Sequence, residues 1–130
     1  MSLLLSYLAT ALTMAVVDIF WIGLVANDLF DKLIGPLLVK PVRMVPALLF
    51  YVMYVTAIYL YGVVQAKHSK DALFRGACLG FVCYATYELT NWAILKGWPM
   101  LMVVVDLSWG VFITAISACA GHWVLHKLRK

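Results

Sequence analysis

The sequence predicts an all-α polytopic membrane protein, a bundle of four transmembrane helices with a short interfacial helix between the first and the second. Hydrophobic residues make up 65% of the 130-residue chain and charged residues only 12%, whereas soluble domains have about half and a quarter. Four apolar windows reach the roughly 20 residues that a helix needs to cross the hydrocarbon core. This composition excludes most soluble enzymes, and the scattered Lys and Arg residues argue against a nucleic-acid partner.

The predicted spans cover residues 3–26, 45–64, 74–95 and 100–123, and they form one domain over residues 1–130. The apolar runs are too long for barrel strands and do not alternate as such strands do. Apolar residues recur at helical spacing over residues 28–34, which predicts the interfacial helix, and Gly35-Pro36 ends it. The turn Lys96-Gly97-Trp98-Pro99 is short, so the last two spans must be antiparallel neighbours.

The flanking charges indicate how the chain is oriented. With an even number of spans, both termini lie on the same side as the loop over residues 65–71. That side carries six of the ten Lys and Arg residues, and the other side carries four. Because cytoplasmic loops carry the excess of Lys and Arg, we expect both termini in the cytoplasm.

Three acidic residues lie inside the predicted spans: Asp18, Glu88 and Asp106. They lie about 12, 10 and 9 Å from the span ends that face away from the termini, at the rise of an α-helix. Spans one and three run in one direction and span four returns, so the three carboxylates reach one layer. Tyr51 and Tyr54 of the second span fall near the same depth.

These residues predict a shared polar site. A charged side chain at mid-membrane costs about 2.5–3.5 kcal/mol on the insertion scale, so the carboxylates need protons, a bound cation, water or a basic partner such as Lys96 or Arg43. No catalytic residue is assigned, and Asp18, Glu88 and Asp106 are candidate metal ligands. Alternatively, the carboxylates only join the helices through hydrogen bonds from Tyr and Trp. The predicted ligand- or cation-binding residues are Asp18, Tyr51, Tyr54, Tyr84, Glu88, Asn91 and Asp106.

The same stretches carry a resemblance to a family of small bacterial integral membrane proteins known only as a domain of unknown function. The resemblance covers nearly the whole chain in the same order, and members tend to carry Asp where this chain has Glu88. It implies a bacterial inner-membrane location and the four-span plan, and it implies no activity. The motifs are Asp18-x-x-Trp21-x-Gly23, Phe50-Tyr51-x-x-Tyr54, Tyr84-Ala85-Thr86-Tyr87-Glu88-Leu89-Thr90-Asn91, Lys96-Gly97-Trp98-Pro99 and Asp106-Leu107-Ser108-Trp109-Gly110.

Three functions remain open, and we favour the first. A small transporter or channel component would hold a proton, metal ion or organic cation at the acidic residues. Four spans enclose no wide path, so we expect a homodimer in the lipid bilayer. A membrane enzyme acting on a lipid or quinone-like substrate would use one carboxyl as acid and another as base. An assembly subunit would bind another membrane protein. No cofactor is predicted beyond a cation bound by the acidic cluster.

Overall fold

The computed structural model describes residues 1–130, and helices account for 86% of them, with no strand. The all-α class is therefore confirmed. Helix α1 (Ser2–Trp21) continues through the π-helical segment Ile22–Ala26 into α2 (Asn27–Ile34) and the 3₁₀ turn Gly35–Leu37. Helix α3 (Met44–Ala57) continues into the π-helical segment Ile58–Val64. The last two helices are α4 (Ser69–Ile94) and α5 (Met100–Leu128).

The first helix does not break where the sequence predicts the end of the first span. Ile22 and Asn27 keep right-handed helical angles, and the backbone first leaves the helical region at Ile34, where φ is −136°. The helical stretch therefore runs from Ser2 to Leu37, 36 residues, and its last three residues form the 3₁₀ turn that follows the change at Ile34. The predicted short helix exists, but it continues the first span through the π-helical segment Ile22–Ala26.

Three helical stretches are long and apolar enough to cross a membrane: Ser2–Leu37, Met44–Val64 and Met100–Leu128. Helix α4 has 26 residues, about 39 Å, which is also sufficient length. It is not among the three, since it carries Glu88 and Asn91 within its apolar part and several charges in its first two turns.

Helices α4 and α5 form the most extensive contact of the molecule. Small residues allow it, because close backbone approach requires them at helix interfaces. A Cβ atom at Gly76 would lie 2.6 Å from the carbonyl oxygen of Thr114, and one at Gly80 would overlap the carbonyl oxygen of Gly110. A Cβ atom at Gly110 would overlap the ring of Tyr84, so this glycine makes room for that side chain.

The two ends of the molecule are distinguished by their loops. We call the end with residues 38–43 and 95–99 the turn end, and the end with both termini and residues 65–68 the terminal end. At the turn end, Ile34 packs with Trp98, Met102 and Val103 in a small apolar cluster. The extension of the first helix therefore rests against the start of α5.

The second helical stretch changes neighbours along its length. Helix α3 lies beside α1, whereas its continuation, residues 58–64, packs on α4 and α5. Helices α3 and α4 therefore diverge toward the turn end and leave a groove between them. Large apolar side chains such as Leu12, Leu24 and Ile94, each at least 66% exposed, cover the outside of the helices. Soluble monomers rarely expose so much apolar surface.

Candidate functional site: an acidic pair between two cavities

Glu88 is the most deeply buried charged residue, with no exposed surface. The indole nitrogen of Trp98 donates a hydrogen bond of 2.8 Å to Glu88 Oε2. Glu88 Oε1 is buried without any hydrogen-bond partner. A carboxylate oxygen left bare in this way loses the interactions that it makes with water and gains none in return.

Trp98 owes its position to the turn between α4 and α5. Gly97 adopts a φ of +74°, a left-handed conformation that glycine reaches without steric cost. This conformation lets the chain reverse within five residues and turns the indole back toward α4, where it is 7% exposed. Trp98 was not among the predicted site residues. Its place next to a turn that folds back on Glu88 was the available signal for the hydrogen bond.

Asp106 on α5 lies beside Glu88, close enough for the two carboxyl groups to interact electrostatically. Asp106 is 8% exposed. We call Glu88 and Asp106 the acidic pair. The close α4–α5 packing at the glycines brings the two side chains together, and a hydrogen bond between them requires that one of them carries a proton.

Asp18 has a different environment. It is half-buried, and it accepts hydrogen bonds from the Tyr51 hydroxyl and from Trp109 Nε1, the latter at 3.3 Å. The Trp109 ring stacks on Trp21, with centroids 4.4 Å apart and planes 7° apart. Both Asp18 oxygens therefore have donors, on α3 and on α5, and this carboxylate fits the joining role that the sequence left as an alternative.

Asp18 and Asp106 line one cavity of about 610 Å³ at the turn end, together with Tyr84. Its other walls come from the continuation of α1 and from residues 38–42. Lys40 is the one basic residue in the lining, and its Nζ lies 2.7 Å from Asp31 Oδ1. Ion pairs occur only there and between Arg75 and Asp71, so no basic side chain compensates the acidic residues.

A second cavity of about 600 Å³ fills the space where α3 and α4 diverge. We call it the lateral groove. Tyr84 and Asp106 line both the lateral groove and the first cavity. These two side chains therefore form the partition between a cavity at the turn end and a groove on the flank of the molecule.

The remaining predicted residues are placed as follows. The Tyr54 hydroxyl lies 2.6 Å from Thr114 Oγ1, so it is engaged away from the carboxylates although its ring lines the lateral groove. Asn91 is half-buried and lines neither cavity. The structure contains no group of three His, Cys, Asp or Glu side chains that could hold a metal ion. It therefore does not support Asp18, Glu88 and Asp106 as ligands of one metal ion.

The family of this chain is shown by a comparison with family models. The model described as "Predicted membrane protein (DUF2177)" matches residues 3–123. The chain belongs to this family. The DUF2177 match contains Asp18, Glu88, Asp106 and the turn before α5, and it agrees with the family resemblance of the motifs. No curated protein and no solved structure matches the chain. The DUF2177 description makes the chain a membrane protein and names no activity.

Proposed function

We propose that this DUF2177 protein is a proton-coupled cation-binding protein of the bacterial inner membrane, in which the acidic pair holds one positive charge. That charge is a shared proton, exchangeable for an organic cation. The bare, fully buried Glu88 Oε1 beside Asp106 carries the proposal. A proton between the two carboxyl groups gives this oxygen a hydrogen bond.

Charge considerations support one positive charge at the pair. Two adjacent carboxylates in a low-dielectric site repel each other, and each loses its hydration. No Lys or Arg is paired with either of them. One proton changes the total charge of the pair from −2 to −1. An organic ammonium ion in its place gives the same total charge of −1. Exchange of the two ligands therefore needs no change in the charge of the site.

The cavity at the turn end supports access to the pair. Its volume of about 610 Å³ falls within the range of about 300–1,000 Å³ typical of small-molecule sites. Asp106 lines it, so a proton that leaves the pair reaches a space that Asp18 and Lys40 also line. We propose that this end faces away from the cytoplasm, as the excess of Lys and Arg at the terminal end favours.

The proposal includes four spans and a homodimer. Helix α4 crosses with the other three stretches, because α5 covers the face that carries Glu88 and leaves mainly apolar side chains outside. The charges in its first two turns lie at the terminal end, where they reach water. A second copy of the chain would enlarge the path, since four spans enclose little space of their own.

Infrared spectroscopy of the purified protein in lipid nanodiscs tests the shared proton. We expect the carbonyl band of a protonated carboxylic acid at neutral pH, and we expect Glu88→Gln and Asp106→Asn each to remove it. In each variant the amide N–H supplies the missing hydrogen bond, and the remaining carboxyl stays ionised. Asp18→Asn is the matched control and keeps the band, because Asp18 already has two donors.

The outcomes separate the proposal from a purely structural role. A spectrum without the band, or a band that persists in both pair variants, would contradict the shared proton. A band that disappears only with Asp18→Asn would move the proton to another carboxyl and would equally overturn the assignment. Circular dichroism of each variant shows that its helices are intact.

A further inference from the structure

The lateral groove opens on the flank of the protein. Its walls include Phe50 and Met53 from α3 and Val82 and Tyr87 from α4, and these side chains are between 42% and 65% exposed. They belong to the outer surface of the helices, at the level of the acidic pair. In a bilayer, such a mouth opens among acyl chains and admits a molecule that is already dissolved in the membrane.

The far end of the groove is polar. Asp106 and Tyr84 line it there, and no Lys, Arg or His lines it anywhere. The groove thus leads from an apolar, aromatic mouth to a carboxyl group that lacks a cationic partner. Aromatic faces attract cations, and a carboxylate accepts the hydrogen bonds that an ammonium group donates.

We propose that the lateral groove binds lipophilic amines that enter from the bilayer, with the ammonium group at Asp106 and the apolar body between α3 and α4. This inference rests on the proposed exchange of the shared proton for a cation, and it names the class of that cation. When the ammonium ion binds, the proton of the acidic pair leaves into the cavity that Asp18 lines.

Charge complementarity favours this occupant over other molecules of the membrane. A phospholipid phosphate next to Asp106 would be repelled, and a neutral lipid would bring no positive charge to exchange for the shared proton. A helix of a second protein copy would have to present a Lys or Arg side chain to the groove. The volume of about 600 Å³ is sufficient for a drug-sized amine.

Calorimetric titration of the full chain in nanodiscs tests the inference, with empty nanodiscs as the blank. The probe is 4-phenylbutylamine, and 4-phenylbutanol is its uncharged counterpart. We expect the amine to bind and the alcohol to bind at least about tenfold more weakly, a difference of roughly 1.4 kcal/mol. Asp106→Asn weakens amine binding by a similar factor, because it removes the charged acceptor.

Groove-filling variants identify the route. Val82→Trp adds an indole inside the groove, whereas Phe81→Trp places one on the neighbouring position of α4, 54% exposed and outside the groove lining. We expect Val82→Trp to weaken amine binding at least about tenfold and Phe81→Trp to leave it unchanged. Met53→Trp fills the groove from α3 and replaces Val82→Trp if that variant does not fold.

Each result bears on a different claim. Equal amine affinity in Val82→Trp, Met53→Trp and the unmodified chain overturns the lateral groove as the site. Equal affinity for amine and alcohol overturns the cationic ligand. If the protonated acid band is present but no amine binds, the inference on the ligand fails and the shared proton stands. Loss of the band as well contradicts the proposed function itself.

Discussion

At the residue scale, the hydrogen bond from Trp98 to Glu88 is the contact that tethers the turn before α5 to α4. Trp98→Phe removes the donor and leaves Oε2 of the fully buried Glu88 carboxyl without a hydrogen-bond partner. We expect this variant to lose about 1–3 kcal/mol of stability, the cost of an unsatisfied buried polar group. Thermal unfolding in a mild detergent measures the loss.

The double variant Trp98→Phe with Glu88→Leu is the control for that measurement. It removes donor and acceptor together, so no polar atom is left without a partner at positions 88 and 98, and Asp106 loses a like charge while it still lines the cavity at the turn end. We expect this double variant to be more stable than Trp98→Phe alone. Equal destabilisation in both variants would show that the indole acts through packing against Ile34 and Met102, and would contradict the hydrogen-bond account.

The acidic residues are conspicuous in the sequence, because each is a charge inside a long apolar run and its depth follows from the helical rise. The sequence could not predict how each carboxyl is satisfied. Asp18 finds Tyr51 and Trp109, whereas the partner of Glu88 comes from a turn whose conformation depends on Gly97. Asn91 shares a helix face with Glu88 by spacing, yet it lies one turn beyond both cavities. The roles of these predicted site residues in binding a ligand stay predictions.

At the element scale, the start of α4 depends on a reciprocal pair of hydrogen bonds. The backbone N–H of Asp71 donates to His68 Nδ1 at 3.1 Å, and Asp71 Oδ2 accepts from the backbone N–H of Lys67 at 2.9 Å. This arrangement resembles a capping box, in which the side chains of both residues satisfy free N–H groups.

The pH dependence of this cap follows from Asp71. The hydrogen bond from the Lys67 N–H, together with the nearby Arg75, holds the pKa of the partly exposed Asp71 carboxyl below its ordinary value. A lowered pKa in the folded state gives stability that is present above the ordinary pKa and is lost as pH falls through the folded value. We expect Asp71→Asn to abolish that acid-side loss, measured by thermal unfolding at several pH values, while Asp28→Asn retains it.

The contact between α4 and α5 gives a second prediction at this scale. Gly76→Ala places a methyl group 2.6 Å from the Thr114 carbonyl oxygen and 2.8 Å from the Ala115 Cα. Both are backbone atoms, so the helices must separate, and we expect a loss of about 1–3 kcal/mol. Gly23→Ala is the matched control, since nothing lies within 4 Å of its Cβ position.

For Gly23→Ala we expect unchanged or slightly increased stability, by up to about 1 kcal/mol, because alanine has less backbone freedom to lose than glycine. Thermal unfolding of the two variants side by side makes the comparison. If Gly76→Ala unfolds at the same temperature as Gly23→Ala, the helices do not depend on close approach at this position.

At the scale of the whole molecule, hydropathy predicted a membrane protein with four spans, and three helical stretches are long and apolar enough to cross a membrane. The apolar windows located α1, α3 and α5 closely. The sequence predicted a separate helix over residues 28–34 and missed that it continues the first helix without a break, because Asn27 and Asp28 resemble a polar boundary while the backbone there stays helical. Helix α4 is less apolar than the other helical stretches, and α5 covers part of its surface. The composition of α4 alone therefore does not show that this helix crosses the membrane.

The topology of α4 can be measured by cysteine labelling in whole cells. In a background with Cys78, Cys83 and Cys119 replaced by Ala, Ser69→Cys and Lys96→Cys mark the two ends of α4. We expect a membrane-impermeant maleimide to label Lys96→Cys in intact cells, and to label Ser69→Cys only after the membrane is opened. This pattern follows from the excess of Lys and Arg at the terminal end, which favours a cytoplasmic location for that end.

Each labelling pattern leads to a distinct conclusion about the acidic pair. The reverse pattern keeps four spans and places the cavity lined by Asp18 on the cytoplasmic side, so the proton would leave to the other compartment. Labelling of both positions from one side would show that α4 enters and leaves the membrane on the same face. Glu88 would then lie close to water, and the desolvation that forces the pair to share a proton would be lost.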